Sequence, residues 1–316
     1  MLKQLSVPGN LLLLGEYAVL ESGGLGLALA PDVRVQLDVH SDETFGLTGI
    51  WGGKKVDWRP DQAGQPLLSA LWAVCSARLQ RYGVYAGGLQ GRLRVDSSAL
   101  YHPDGRKSGF GSSAAVSVAI ATALMLQAGL SADLACAESV QAALEAHRLA
   151  QGGSGSGYDI YTSCHGAVGL FSGGLRPSWT ALDLDWLPPL YLFAGSRSVS
   201  SARSISRYHA WKREQPAAAE RFLKQSNAAV LAFIEADSWD RARPHFKHYR
   251  ELAIGLGRDI GVSAEISPPK GLEDAVCKAV GAGNELGVVL AAERSAAERA
   301  ELAPLKIAEG GVVWAP

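Results

Sequence analysis

The chain has 316 residues, 47% hydrophobic and 19% charged, with a formal net charge of −1. That length exceeds one typical core and predicts two domains of ordinary globular composition. A near-neutral balance excludes a global basic field, so nucleic acid and anionic membrane are poor main partners, while a local basic cluster could still hold a small anion.

Taken in chain order, LLLLGEYAVL (11–20) begins as a buried strand and breaks at Gly15. Residues 33–40 alternate Val33, Val35, Leu37 and Val39 against Arg34, Gln36, Asp38 and His40, which predicts a half-buried strand. Residues 51–66 read as turns, Leu67–Gln80 as a helix and Leu89–Val95 as a strand. Ser112–Gln127 is Ala-rich and apolar nearly all round, predicting a buried helix that ends at Gly129. Ser131 is the candidate N-cap of a second helix through Ala150, stopped by a Gly/Ser run. A strand is expected soon after Ile160, near Gly166–Phe171, and others near Leu190–Ala194, Leu286–Ala291 and Gly311–Trp314. Two or three helices should occupy 201–255. Gly173, Gly174, Pro177, Pro188 and Pro189 place the break between halves near 170–188. The interleaving predicts two α+β domains with a cleft between them.

No stretch approaches the roughly 18 apolar residues of a membrane helix. MLKQLSVPGN lacks the basic-then-apolar plan of a signal segment. Cys75, Cys136, Cys164 and Cys277 form no CxxC pair and read as reduced thiols of a cytoplasmic protein.

Three glycine-rich stretches carry the chemistry. In SVPGNLLLLGEYAVLESGG (6–24), Glu16 is unusual in an apolar strand; the plain reading is a strand–turn–helix corner that Glu16 caps. GRKSGFGSSAAVSVAIATAL (105–124) sets Gly109 and Gly111 before Ser112 and Ser113, which open the apolar helix. Free N–H groups at a helix start bind phosphate, and glycine removes the Cβ that would obstruct it. The alternative is a Ser cap on a core helix. It is not the common phosphate-binding loop G-x-x-x-x-G-K-[ST], because Lys107 precedes the glycines. CKAVGAGNELGVVLAAE (277–293) is a third glycine loop, or else a tight turn, before an apolar strand. A further run, QGGSGSGYD (151–159), has linker composition; it also suits a loop that brings backbone close to a charged ligand beside Asp159.

PGNLLLLGEYAVL, KSGFGSSAA and GAGNELGVVL resemble, in order and separation, the three motifs of the GHMP kinase superfamily, ATP-dependent kinases of small metabolites. GEYAVLE (15–21), Lys107 and AHRLAQGGSGSGYDIYTSCHG (146–166) are most similar to the phosphomevalonate kinase branch; SRSVSS (196–201) and ISPPKGLED (266–274) resemble its acceptor segment and a helix entry. The resemblance implies a two-domain α+β fold, a ribosomal-protein-S5-like domain over 1–175 and a ferredoxin-like domain over 176–316, with ATP and acceptor meeting between them. It implies ATP and Mg²⁺ as cofactors, a small phosphorylated acceptor, and a monomer or homodimer. The reaction implied is phosphorylation of mevalonate 5-phosphate to the diphosphate. The alternatives are a mevalonate kinase or other diverged GHMP kinase, or a non-catalytic ligand-binding protein.

By the same resemblance Lys107, Ser108, Gly109, Phe110, Gly111, Ser112, Ser113 and Ala114 bind ATP, with Ser113 or Ser112 on Mg²⁺ and Asp159 and Lys107 as catalytic candidates. Acceptor candidates are Asn10, Glu16, Tyr17, Ser156, Gly157, Asp159, Arg197, Ser198, Ser200, Gly281, Ala282 and Gly283. Two positions depart from the pattern. Asn10 stands where many members carry Lys, leaving Lys107 or Arg197 to supply the charge. The third motif runs GAGN into Glu285, one residue short. His147 aligns with a metal-binding Glu of mevalonate kinases and either lies near the metal or closes its helix. Arg203 and Arg207, four apart, share one helix face and add to the positive supply. His245 and His248 lack a third ligand and read as a solvent-facing helix. Adjacent Cys164 and His165 do not suit a thiol enzyme.

Overall fold

The computed structural model describes residues 2–51, 53–62, 64–153, 155–195, 200–273, 275–290 and 294–315. In chain order they form strands β1 (Gln4–Pro8), β2 (Leu11–Leu14), β3 (Leu25–Leu29), β4 (Arg34–His40), β5 (Gly46–Trp51) and β6 (Lys54–Trp58), helix α1 (Pro66–Gln80) and strand β7 (Arg92–Asp96). Helices α2 (Ser112–Gln127), α3 (Ala132–Ala150) and α4 (Tyr158–His165) follow, then β8 (Val168–Ser172), β9 (Ser178–Leu182) and β10 (Leu190–Ala194). The remainder is α5 (Ser201–Glu214), α6 (Pro216–Ile234), α7 (Trp239–Asp259), β11 (Val276–Val280), β12 (Leu286–Leu290), α8 (Arg294–Arg299) and β13 (Val313–Ala315).

These elements form two compact units. The first takes Met1–Asn10, Ala30–Ala167 and Ala308–Pro316; the second takes Leu11–Leu29 and Val168–Ile307. This differs from the expected single boundary at 175. The physical reason is strand pairing: β13, late in the chain, adds to β1 in the first unit, whereas β2 and β3 pair with each other and β3 with β8 in the second.

In the first unit the sheet order is β13-β1-β4-β7-β5-β6, antiparallel except for the parallel β5/β7 pair. The alternation read at 33–40 is real: Val35 and Leu37 are fully buried while Gln36 is exposed. Helix α2 packs on β1, β4, α1, α3 and α4, so almost every side from Ala114 to Met125 is buried, as its all-round apolar sequence requires. In the second unit, β2-β3-β8-β9 and β10-β12-β11 are both antiparallel. They share a core of Leu13, Leu14, Leu27 and Leu29 with Phe233, Phe246 and Tyr249 from α6 and α7.

Three local expectations are corrected. Residues 51–66 are not all turn, because Lys54–Trp58 pairs with β5 as a hairpin, with Val56 and Trp58 inward and Lys55 and Asp57 outward. The strand expected soon after Ile160 begins only at Val168, because before it Tyr158–His165 forms helix α4. Its Thr162 Oγ1 donates to Tyr158 O at 2.7 Å, and Ile160, Thr162 and Ser163 are buried where α4 packs on α2, α3 and β1. The helix entry suggested by ISPPKGLED is absent among the described residues, which run irregularly from Val262 to Ala275 and lead into β11.

Candidate active site

The phosphate-loop candidates lie in the first unit, between a bridge at Tyr101/Lys107 and the start of α2. Ser108 is anchored twice to Leu100 O, by its N–H at 3.1 Å and by its Oγ at 2.9 Å. Gly111 is the residue before α2 and sits in the left-handed region at φ 64. A Cβ there would stand 2.1 Å from Asn10 Oδ1, so only glycine fits. Helix geometry leaves the amides of Ser112 and Ser113 without partners in the helix, and the aligned peptide dipoles make that end positive.

The two serines separate cleanly. Ser112 is buried, and its Oγ donates to the Tyr101 hydroxyl at 3.1 Å. Ser113 is half-buried, and its Oγ lies 3.1 Å from His147 Nε2. The same ring nitrogen is 3.0 Å from Gln151 Nε2, and His147 Nδ1 is 3.8 Å from Asp159 Oδ2. Ser113, His147 and Asp159, from α2, α3 and α4, therefore converge. His147 therefore stands beside the serine that follows the glycine loop.

Asp159 sits in the first turn of α4, which starts after Gly157 at φ 90. A Cβ on Gly157 would meet Leu144 Cδ1 at 2.3 Å. The Asp159 side chain is 23% exposed and its Oδ1 accepts from Ile160 N at 3.0 Å. The preceding loop is not a free linker: Arg148 Nε donates to Gly155 O at 3.1 Å and Nη2 to Ser156 O at 2.9 Å. Ser156 Oγ accepts from Tyr158 N at 3.3 Å. Arg148 went unnoticed in the sequence, although a cation at the end of a helix before a glycine run is a signal for such a clamp.

Asn10 belongs here too. It is 1% exposed and donates from Nδ2 to Ser163 Oγ at 2.9 Å and to Gly111 O at 3.2 Å. Ser163 is one turn beyond Asp159 on α4, so Asn10 ties that helix to the glycine loop before α2. Lys107 is exposed. Arg197 and Ser198 lie outside the described residues.

The other candidates lie in the second unit. Tyr17, at φ 65, donates its hydroxyl to Ala282 O at 2.7 Å and packs on Tyr208 with ring centres 5.4 Å apart. Burial, with Glu16 nearby, pushes its phenol up to about 12. Glu16 and Tyr17 line a pocket with Leu256, Val262, Gly281 and Gly283. Glu16 caps no helix. It is buried against Lys278 of β11, a residue the sequence reading missed. Lys278 Nζ also donates to Ala279 O at 2.6 Å and stands 5.3 Å from the centre of the Tyr249 ring. Burial pushes the Glu16 carboxyl up and the Lys278 ammonium down, against their mutual attraction. Ser200 is the exposed N-cap of α5, accepting from Arg203 N at 3.5 Å. Arg203 is exposed, and Arg207 is tied to Gly261 O. His248 is exposed and His245 half-buried on α7, and the described residues hold no cluster of three or more metal-ligating side chains.

Known proteins bear on both units. Residues 69–167 match the GHMP kinases N terminal domain. The phosphomevalonate kinase of Streptomyces sp. (strain CL190) is 34% identical over 142 residues, 39% of this chain and 37% of that protein. The Lin0012 protein from Listeria innocua superposes with a TM-score of 0.85 at 22% identity over 99% of both chains. Streptococcus pneumoniae phosphomevalonate kinase, in complex with phosphomevalonate and AMPPNP, gives 0.75 at 17% over 99% of both. L. major mevalonate kinase, in complex with R-mevalonate, gives 0.62 at 18% over 94% of this chain and 89% of that one. Residues 69–167 thus resemble a GHMP kinase N-terminal domain, and the chain shares its fold with solved phosphomevalonate and mevalonate kinases.

Proposed function

We propose that the chain moves the γ-phosphoryl group of ATP onto the phosphate of mevalonate 5-phosphate. The observation that carries this reading is the meeting of Ser113, His147 and Asp159 at the glycine-flanked start of α2. The choice of acceptor is supported by the Streptomyces relative, a phosphomevalonate kinase.

Phosphoryl transfer needs little covalent help from the protein; positioning and charge stabilisation dominate. Backbone amides from Gly109 to Ser113 receive the phosphate oxygens of ATP, with Lys107 beside them. The His147 tautomer with its proton on Nδ1 faces Asp159 and leaves Nε2 to accept from Ser113 Oγ–H. The Ser113 lone pairs then point away from the ring. Asp159 orients the acceptor oxygen and receives its proton where one is present. Arg148 and Gly157 hold the loop that carries it. Glu16, Tyr17 and Gly281–Gly283 remain acceptor candidates, with Arg197 and Ser198.

Mg²⁺ suits this donor set, since it is commonly held by one or two protein oxygens together with substrate phosphates. The Ser113 hydroxyl and the partly exposed Asp159 carboxylate are such oxygens. When bound, the ion supplies neutralisation of charge on the transferring phosphoryl group.

The test is ADP release with mevalonate 5-phosphate, mevalonate and no acceptor in parallel. Turnover of mevalonate 5-phosphate alone supports the reading. Turnover of mevalonate alone moves the chain to mevalonate kinase activity. Asp159→Ala should lower kcat by about a hundredfold or more if it acts as an acid–base group; an unchanged kcat removes it from that role. One observation favours a second reading, a non-catalytic ligand binder: Asn10 brings no charge and is consumed in structural hydrogen bonds. Binding of both ligands by calorimetry without product would select that reading.

A further inference from the structure

Two of the four cysteines are neighbours in the first unit. Cys136 Sγ, in the second turn of α3, is 4.0 Å from Cys164 Sγ near the end of α4. Cys136 is half-buried and Cys164 buried, so an outside reagent reaches Cys136 first. The contact also divides the two thiols. The hydrogen bond from Cys164 holds the Cys136 thiol down, to about 7, against burial and Asp133. Cys164 is held up by the same contact and by burial. Half-exposed thiols with thiolate character at neutral pH are the reactive ones.

The pair is one end of a ladder between two helices. Cys136 meets Cys164, Gln141 Nε2 donates to Tyr161 Oη at 3.2 Å, and His147 faces Asp159 at 3.8 Å. Numbers rise along α3 as they fall along α4, so the helices run antiparallel with the thiols at one end and the candidate catalytic rung at the other.

We propose that Cys136 and Cys164 are a reversible oxidation site, closing to an intramolecular disulfide on reaction with a small-molecule disulfide. The Cys136 thiolate attacks one sulfur of the reagent and expels the first thiolate. Cys164 then loses its proton to solvent and attacks Cys136 Sγ, expelling the second. The protein loses two hydrogens and the reagent is reduced to two thiols. Bond formation needs the sulfurs to approach from 4.0 Å to about 2.05 Å. That pull shifts α4 against α3 and disturbs the His147–Asp159 rung. The effect on turnover rests on the proposed kinase activity; the bond itself does not.

The experiment treats the native full chain with oxidised glutathione and maps its peptides. The expected product is a 136–164 link, with Cys75 and Cys277, both buried, left as thiols. Cys164→Ser should instead accumulate a stable glutathione adduct on Cys136, and Cys164→Ala replaces it if the serine variant misfolds. A persistent adduct on the unaltered chain, or a link through Cys75 or Cys277, overturns the site. Hydrogen exchange across 157–165 should change on oxidation and return on reduction, with a several-fold reversible loss of ADP release. Unchanged exchange across α4 overturns the coupling. Mass and exchange need no acceptor, so failure of the proposed activity is read separately.

Discussion

At the scale of single residues, the Asn10–Gly111 contact is the most constrained point near the candidate phosphate loop. Gly111→Ala meets both a left-handed backbone and the Asn10 side chain. On the proposed function it should weaken ATP binding sharply by calorimetry while leaving the circular dichroism of the chain in place. Adding Asn10→Ala removes the collision but not the backbone strain, which costs roughly 1 kcal/mol. The double variant should therefore recover part of the affinity and no more. The sequence allowed Gly111 to be singled out, because glycine before a Ser-led apolar helix has few other uses. It did not show what Asn10 does. The residue could be seen to lack a lysine's charge, but its partners Ser163 and Gly111 are 153 and 101 residues away.

At the scale of elements, the buried Glu16–Lys278 pair joins the β2 corner to β11. Charges taken out of water recover their hydration only through good mutual geometry, and breaking one partner leaves the other stranded. Lys278→Met should cost about 3–5 kcal/mol in urea unfolding. Glu16→Leu with Lys278→Met together should cost less than Lys278→Met alone. The pH dependence follows from the sign of the Glu16 shift. A carboxyl raised by burial binds more protons folded than unfolded. Its stability is fully present below the ordinary value of 4.5 and is lost as pH rises through the folded value. Without Lys278 to oppose it, the shift grows, so the deficit of Lys278→Met should widen as pH climbs above that value. A deficit that stays flat across that range would mean that Glu16 remains hydrated.

Elements also differ in how plainly they announce themselves. Helix α2 was legible because an Ala-rich stretch apolar on every side has only one stable setting. The β6 hairpin strand was hidden by Gly and Lys, even though KKVDW alternates outward and inward. Helix α4 was hidden by Tyr, Ile and Thr, which favour strands in isolation; its packing on α2 and α3 overrides that preference. Lys278 could be noticed as a cation inside an apolar strand, but its partner lies 262 residues away.

At the scale of the whole molecule, the alternation of segments gives Ala308–Pro316 a role out of proportion to its length. Ala167 N donates to Ala308 O at 2.9 Å, Val312 N to Cys164 O at 3.2 Å, and Lys3 N to Ala315 O at 3.1 Å. Arg34 Nη1 reaches Gly310 O at 3.5 Å and its Nη2 bonds Gly311 O. Ending the chain at Ile307 should lower the melting temperature and speed hydrogen exchange in β1 and at the end of α4. Exchange in β10, β11 and β12 should change less, since their ladders are internal to the second unit. Uniform loosening of both units would show that the tail acts more broadly than its hydrogen bonds.

The placement of β13 has a consequence for the order of synthesis. Every residue of the second unit is translated before the strand that completes the first unit's sheet. On the ribosome, β1 waits as an open edge while Leu11–Ile307 emerges, and an unpaired edge invites pairing with other chains. The nascent protein thus carries the five-residue β1 as an edge until the three-residue β13 takes that place, a window that slow elongation would lengthen.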